Sequence, residues 1–120
     1  MRIFVVSLLG FLTACMSRST LSMPIQQVAE CAVLALRTSP NIERVDSYVA
    51  YDLKKQPYPV IVAVIRNEEL EPQRVEFAIN SEPAPDGFYY YDFPPIFVGL
   101  PAVVETLHSR CRAEGNIVIR

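Results

Sequence analysis

Two segments with helical spacing, one near each end of the chain, each carry a cysteine on their apolar side. In the first, residues 22–40, apolar side chains recur every three or four positions around Cys31. In the second, residues 99–115, an apolar stripe ends at Cys111; its other members are Leu100, Val103, Val104 and Leu107. Because a helix buries its apolar stripe against a core, both cysteines are expected to face the interior of the fold.

Capping and breaking residues mark the ends of both predicted helices. Ser22 suits the N-cap of the first helix, Pro24 suits its first turn, and Pro40 stops it. In the second helix, Pro101 marks the first turn, and Gly115 is expected just after the last turn. Both segments are therefore predicted to be independent helices with defined ends.

Strand-like runs, separated by turn-forming residues, fill the space between the two helices. They cover residues 42–53, 58–67, 74–81 and 88–93. In the first run, alternation places Val45, Val49, Tyr51 and Leu53 on one face and Asp46, Tyr48, Ala50 and Asp52 on the other. The second run is apolar on both faces, which predicts a central strand. The third run is expected to turn Val75, Phe77 and Ile79 inward.

The order of these segments predicts an α+β fold in the arrangement α-β-β-β-β-α. Short connections favour a four-stranded antiparallel meander with both helices packed on one face, because parallel strands need long crossovers. A last apolar run at 116–120 could add a fifth, edge strand. At 120 residues the chain has room for one domain.

The first 15 residues have the three-part composition of a secretory signal. Arg2 supplies the charged region, an apolar run extends from Ile3 to Leu12, and small residues follow. The apolar run is about ten residues long, whereas about 20 are needed for a helix that spans a bilayer. The alternative is a buried N-terminal element of the fold, but no polar residue interrupts the run to make it amphipathic.

The end of this signal resembles the lipobox of bacterial lipoproteins in Leu12-Thr13-Ala14-Cys15. The resemblance implies cleavage after Ala14 and lipidation of Cys15, so that 1–14 is a removed signal peptide, 15–22 a lipidated tether and 23–120 a single periplasmic domain. Met16, rather than aspartate, follows the cysteine, and by the same resemblance this implies anchoring in the outer membrane. The alternative is an ordinary secretory signal that ends near a cysteine.

Export leaves Cys31 and Cys111 as two thiols in a compartment where disulfides form and persist. Since both lie on the buried side of predicted helices, we expect a disulfide that links the two helices. Two alternatives remain: two inert buried thiols, or metal ligands together with His108, three residues before Cys111. The metal alternative lacks a convincing fourth ligand, so no metal site is predicted.

Residues typical of catalysis are sparse. His108 is the single histidine, with no serine or cysteine placed to act as a nucleophile beside it, and a half-exposed surface position is expected. Glu68, Glu69 and Glu71 fall in a predicted solvated turn. Four glycines provide no phosphate-binding loop, and a net charge of −2 provides no basic patch for nucleic acid. The sequence therefore predicts neither an enzyme nor a cofactor.

The segment 87–97, GFYYYDFPPIF, is the strongest candidate for function. Alternation separates Tyr89, Tyr91 and Phe93 from Phe88, Tyr90 and Asp92. The second set, together with Tyr48 of the first strand, is expected to lie on the sheet face away from the helices. Exposed tyrosines suit a protein or glycan interface, because they combine rigid area with a polar group. The alternative is that these are ordinary strand residues that cover the second face.

These observations favour a small non-enzymatic lipoprotein, anchored by its lipid in the outer membrane and facing the periplasm. Its domain is expected to bind another envelope protein or macromolecule in an assembly or accessory role. Two alternatives stay open: an immunity or inhibitor protein that neutralises a periplasmic toxin or hydrolase, and a peptidoglycan- or glycan-binding module.

Overall fold

The computed structural model describes residues 21–67 and 70–116, so the lipobox with Cys15, Glu68 and Glu69, and residues 117–120 lie outside it. The chain forms, in order, α1 (Met23–Arg37), β1 (Ile42–Tyr51), β2 (Pro57–Asn67), β3 (Leu70–Ala78), β4 (Tyr89–Asp92), a 3-10 helix (Pro95–Gly99), α2 (Pro101–Cys111) and β5 (Ala113–Asn116). The predicted α+β class is confirmed.

Strands β1, β2 and β3 form an antiparallel sheet in that order. The central strand is β2, as its apolar residues on both faces predict. The register places Val45 beside Ala63 and Ala63 beside Val75, and it likewise aligns Ser47, Ile61 and Phe77. Helix α1 packs against β1 and β2. The inward positions predicted for β3 are confirmed, because Val75, Phe77 and Ile79 are all buried.

The predicted four-stranded meander is wrong at its fourth strand. Strand β4 pairs in parallel with β5, with Tyr89 beside Ala113 and Asp92 beside Asn116. A single antiparallel bridge, between Ile79 and Tyr91, connects it to the end of β3. The 3-10 helix and α2 together form the long crossover that a parallel pair needs. The prediction failed because it considered only short connections and placed the last strand at 116–120, whereas β5 begins at Ala113.

The inward set predicted for β1 is also only partly right. Val45 is buried, but Val49, Tyr51 and Leu53 are exposed. Leu53 lies beyond the end of the strand, in the turn that leads to β2. Beside Val49, α1 leaves a groove of about 350 Å³ between helix and strand. The second half of β1 therefore carries apolar side chains that the described residues do not cover.

The predicted helix starts are confirmed, but the end of α2 differs. Ser22 occupies the N-cap of α1 without a side-chain hydrogen bond, and the helix ends at Arg37. Helix α2 ends at Cys111, and Arg112 takes the left-handed conformation that Gly115 was expected to adopt. Gly115 lies instead in β5, where a Cβ atom would collide with the ring of Phe93. Its small size is needed for close packing rather than for helix termination.

A disulfide joins Cys31 of α1 to Cys111 of α2, as predicted, with the two Cα atoms 5.5 Å apart. Cys111 is buried, and Cys31 is partly buried against the same core. The alternatives of free thiols and of cysteine metal ligands are thereby removed. The bond ties the helix that covers the three-stranded sheet to the helix that leads into β5.

Four aromatic rings close the core between the two sheets. Phe77 lies 5.1 Å from Tyr91 and 5.4 Å from Phe97, measured between ring centroids, and Phe93 lies 5.9 Å from Phe97. The hydroxyl of Tyr91 is buried and has no hydrogen-bond partner among the described residues. Burial raises the pKa of this hydroxyl to about 12, so the phenol is neutral at any physiological pH.

Candidate binding site

The sequence-predicted site residues lie on two separate sheets. Tyr48 lies on β1 in the antiparallel sheet, where its hydroxyl lies 3.4 Å from Glu76 Oε1 of β3. Tyr90 and Asp92 belong to β4 of the parallel pair, and Phe88 immediately precedes it. The predicted single tyrosine face required β4 to extend the first sheet. Since β4 pairs with β5 instead, Tyr48 is not brought to the other three by the sheet.

Phe88 is the centre of a group of aromatic and charged side chains. The guanidinium carbon of Arg112 lies 4.5 Å from the centroid of the Phe88 ring, and the His108 ring stacks on Phe88 with centroids 4.8 Å apart. A guanidinium over a ring is attracted by the negative charge of the ring face. We call the group the Phe88 cluster; its members are Asp86, Phe88, Tyr90, His108, Arg112 and Glu114.

Asp86 holds the loop before β4 in place. Its Oδ1 accepts the backbone N–H of Phe88 at 2.9 Å, and its Oδ2 accepts the hydroxyl of Tyr90 at 2.8 Å. The Phe88 N–H, then the Tyr90 hydroxyl and the nearby Arg112 charge, lower the pKa of the Asp86 carboxyl. The hydrogen bond between Tyr90 and Asp86 raises the pKa of the Tyr90 hydroxyl, because a phenol that donates to a carboxylate is held in its protonated form. Asp86 is therefore a permanent anion at neutral pH.

The opposite side of the cluster is a hydrogen-bonded contact between His108 and Glu114. His108 Nδ1 lies 2.6 Å from Glu114 Oε1, and both side chains are about half exposed. The half-exposed surface position predicted for His108 is thus confirmed. Glu114 lies beside Tyr90 in the β4–β5 pairing, so the strand register brings the His108–Glu114 contact next to the tyrosine.

Two backbone features position the cluster. Gly87 has a φ of +88°, and a Cβ there would lie 3.0 Å from Nη2 of Arg112. Arg112 itself is left-handed at φ 56°, which ends α2 and sends the chain directly into β5. Glycine at 87 thus satisfies both the dihedral angle and the close approach of the guanidinium.

Sequence reasoning identified Phe88 and Tyr90 but missed the charged members. Asp86 was treated as part of a turn, and Arg112 and Glu114 as the end of a helix. Asp86 lies two residues before Phe88, but nothing in the local spacing of Arg112 and Glu114 links them to β4, because that link is the parallel pairing of β4 with β5. Asp92 lies at the far end of that pairing, beside Asn116, and is exposed.

The described residues offer little catalytic geometry around His108. The hydroxyl of Ser109 donates to the Glu105 carbonyl oxygen at 2.9 Å, within its own helix. Within 21–67 and 70–116, no three His, Cys, Asp or Glu side chains are grouped so that they could hold a metal ion. In the same ranges no helix is long and apolar enough to cross a membrane.

The comparisons with known proteins found no relative. No family model, no curated protein and no solved structure matches this chain.

Proposed function

We propose that this chain is a lipid-anchored protein of the bacterial outer membrane, facing the periplasm, and that its domain binds another envelope protein without catalysing a reaction. The Phe88 cluster is the observation that carries the binding part of the proposal. It places the half-buried ring of Phe88 and the phenol of Tyr90 beside a guanidinium and two carboxylates on one partly exposed surface. Aromatic residues and arginine are the types enriched in protein interfaces.

The contacts of Phe88 favour a protein partner over a glycan. Sugar binding by stacking needs an accessible aromatic face, but the ring of Phe88 already contacts Arg112 and His108. The outer members of the cluster carry both signs of charge, in the carboxylates of Asp86 and Glu114 and the guanidinium of Arg112. Such an arrangement suits a partner with complementary charged side chains, because matched potentials confer specificity on an interface.

The lipid anchor rests on the lipobox resemblance of residues 12–15, and the disulfide supports an oxidising compartment. The Cys31–Cys111 bond is typical of exported proteins, since cytoplasmic thiols are kept reduced. With the anchor at Cys15, the tether 15–22 would reach at most about 28 Å when fully extended. The domain would therefore bind its partner close to the membrane surface.

The Cys15→Ser variant tests the anchor. We expect the wild-type chain to incorporate radiolabelled palmitate in bacterial cells and the variant to lose the label completely, because serine offers no thiol for the thioether. The control is a Met16→Ala variant, which should label like wild type. Label that persists in Cys15→Ser would contradict the assignment of Cys15 as the lipidated residue.

Alanine variants of Phe88 and Tyr90 test the binding surface. In a pull-down from solubilised envelopes with the full chain, we expect each variant to reduce the recovery of the partner by about tenfold or more. This is the loss of binding expected when a residue at the centre of an interface is truncated. The matched control is Tyr48→Ala, which removes an exposed aromatic ring from the other sheet and should leave recovery unchanged. Equal recovery with all three variants would contradict the Phe88 cluster as the interface, provided that circular dichroism shows native folding.

A further inference from the structure

The outer edge of β1 presents unpaired backbone groups. The N–H of Asp52 donates to the carbonyl oxygen of Gln56 at the end of the β1–β2 pair. In an antiparallel pair of strands, hydrogen-bonded residue pairs alternate with pairs that are not hydrogen-bonded. The even-numbered residues of β1 therefore hydrogen-bond to β2. The N–H and C=O groups of 45, 47, 49 and 51 therefore point away from the sheet. Two contacts agree with this. Arg37 lies 3.5 Å from the Val45 carbonyl oxygen, on the side of β1 away from β2. Pro59, which lies opposite Val49, accepts the N–H of Ile79 at the end of β3 and so does not bond to β1.

The two edges of this sheet differ in their protection. At the β3 edge, Pro72 interrupts the row of donors, Arg74 and Glu76 form an ion pair at 2.6 Å, and Asn80 bonds to Tyr90 of β4. Proline, charge and a covering strand are the features that prevent edge-to-edge pairing. Among the residues 21–67 and 70–116, no strand pairs with the β1 edge. Its second half, 47–51, contains neither proline nor a charged residue.

The side chains around this edge are apolar and exposed. Tyr48 is 48% exposed on the face away from α1, and Tyr51 is 54% exposed on the face toward it. The groove between α1 and β1 is lined by Ala29, Glu30, Ser47 and Val49, among others. An added strand would therefore find backbone partners at the edge, apolar contacts on both faces and space beside the helix.

We propose that a second copy of this chain pairs with the β1 edge, β1 against β1 and antiparallel, about a two-fold axis at Tyr48. This placement of the axis matches the charges of the two copies and covers the exposed second half of β1. It puts Arg44 of each copy opposite Asp52 of the other, with Val45 opposite Tyr51 and Ser47 opposite Val49. Opposite charges directly across a strand pair stabilise it.

Neighbouring registers lose this complementarity. Moving the axis to residue 46 places Asp46 against its own copy, and moving it to 49 places Asp46 against Asp52. An axis at 47 leaves Arg44 opposite Ala50, and an axis at 50 shortens the overlap because the strand ends at Tyr51. An axis at 45 would pair Arg44 with Asp46, but it includes the irregular register between Ile42 and Arg44 and leaves the exposed Val49 and Tyr51 uncovered. Like charges directly opposite each other destabilise a strand pair, so the Tyr48 register is selected.

The groups involved are available within the described structure. Asp52 uses Oδ1 to accept the N–H groups of Lys54 and Gln56, both at 2.8 Å, which leaves Oδ2 toward solvent for Arg44 of the second copy. The N–H of Tyr51 from the second copy would donate to the Val45 carbonyl oxygen and would replace the long contact of Arg37 with that oxygen. Val49 of the second copy would lie opposite Ser47, at the groove. The β1 surface is separate from the Phe88 cluster, so the proposal does not rest on the proposed binding function.

Cysteine cross-linking of the full chain in the periplasm tests the register. At the axis the two Cα atoms of residue 48 would be about 4.5 Å apart, within the range of a disulfide. Tyr48→Cys is therefore expected to give a covalent dimer on a non-reducing gel. Tyr51→Cys is the matched control: it replaces the same residue type at similar exposure on the same strand. Its two copies would be about 20 Å apart, so it should remain monomeric.

Charge variants test why this register is chosen. In the Tyr48→Cys background, Arg44→Glu sets two pairs of carboxylates against each other and should lower the dimer yield about fivefold, whereas Arg44→Lys should retain it. Arg110→Glu, the same charge change on the exposed surface of α2, should have no effect. A monomeric Tyr48→Cys chain, a dimer formed equally by Tyr51→Cys, or a cross-link to a protein of another mass would each overturn the proposal.

Discussion

Replacing both Cys31 and Cys111 by alanine is expected to lower the free energy of unfolding by about 4–5 kcal/mol. The bond joins residues that are 80 positions apart, and a loop of that length restricts the unfolded chain strongly. Domains of this size have a total stability of about 5–15 kcal/mol, so the variant should be partly unfolded at 37 °C. Urea unfolding followed by circular dichroism measures the change, with the midpoint shifted to much lower urea.

Reduction provides the control for the disulfide variant. Dithiothreitol should lower the urea midpoint of the wild-type chain toward that of the double alanine variant, and it should leave the variant itself unchanged. This comparison separates loss of the bond from loss of side-chain volume at Cys111, which is 4% exposed in the core. A double variant with the same midpoint as the oxidised wild type would show that the bond contributes nothing to stability.

Phe97→Ala is expected to cost about 3–5 kcal/mol of unfolding free energy, the range for a fully buried aromatic residue. Phe97 is completely buried, and its ring lies within 5.4–6.3 Å of the rings of Phe77, Phe93 and Tyr91. Alanine would leave a cavity where the end of the three-stranded sheet meets the β4–β5 pair. Thermal and urea unfolding of the full chain measure the loss.

The next residue offers a matched control, because Val98 is 77% exposed in the same 3-10 helix. Val98→Ala should change the free energy of unfolding by no more than about 0.5 kcal/mol. Phe97→Leu should fall between the two, since leucine fills part of the cavity. Similar stability of Phe97→Ala and Val98→Ala would mean that the aromatic core does not hold the two sheets together.

Local sequence patterns predicted elements whose partners are neighbours in the chain. The helical stripes, the first hairpin turn and the doubly apolar β2 were predicted correctly, because each depends on side-chain periodicity and turn chemistry over a few residues. The second turn was expected to include Glu71, which lies in β3 instead. The fourth strand was placed at nearly the right residues but in the wrong sheet. Alternation shows that 88–93 is extended, but it carries no information about whether the partner strand precedes or follows it.

The same distinction applies to the Phe88 cluster. Alternation within 87–97 pointed to Phe88 and Tyr90, as members of the set expected on the sheet face away from the helices. Two of the charged members that surround them, Arg112 and Glu114, come from just after α2 and from β5, more than 20 positions later. Only the parallel pairing of Tyr90 with Glu114 brings these residues together.

The sequence by itself determined the α+β class, the positions of both helices, the central strand and the pair of cysteines. Each follows from interactions that repeat within one element, or from the position of two thiols on the apolar sides of the helices. The tertiary structure decided that β4 leaves the meander for β5, that Gly115 accommodates Phe93, and that one sheet edge is protected while the other is open. These depend on which surfaces meet after the helices have packed, and that competition between distant segments has no periodic signature.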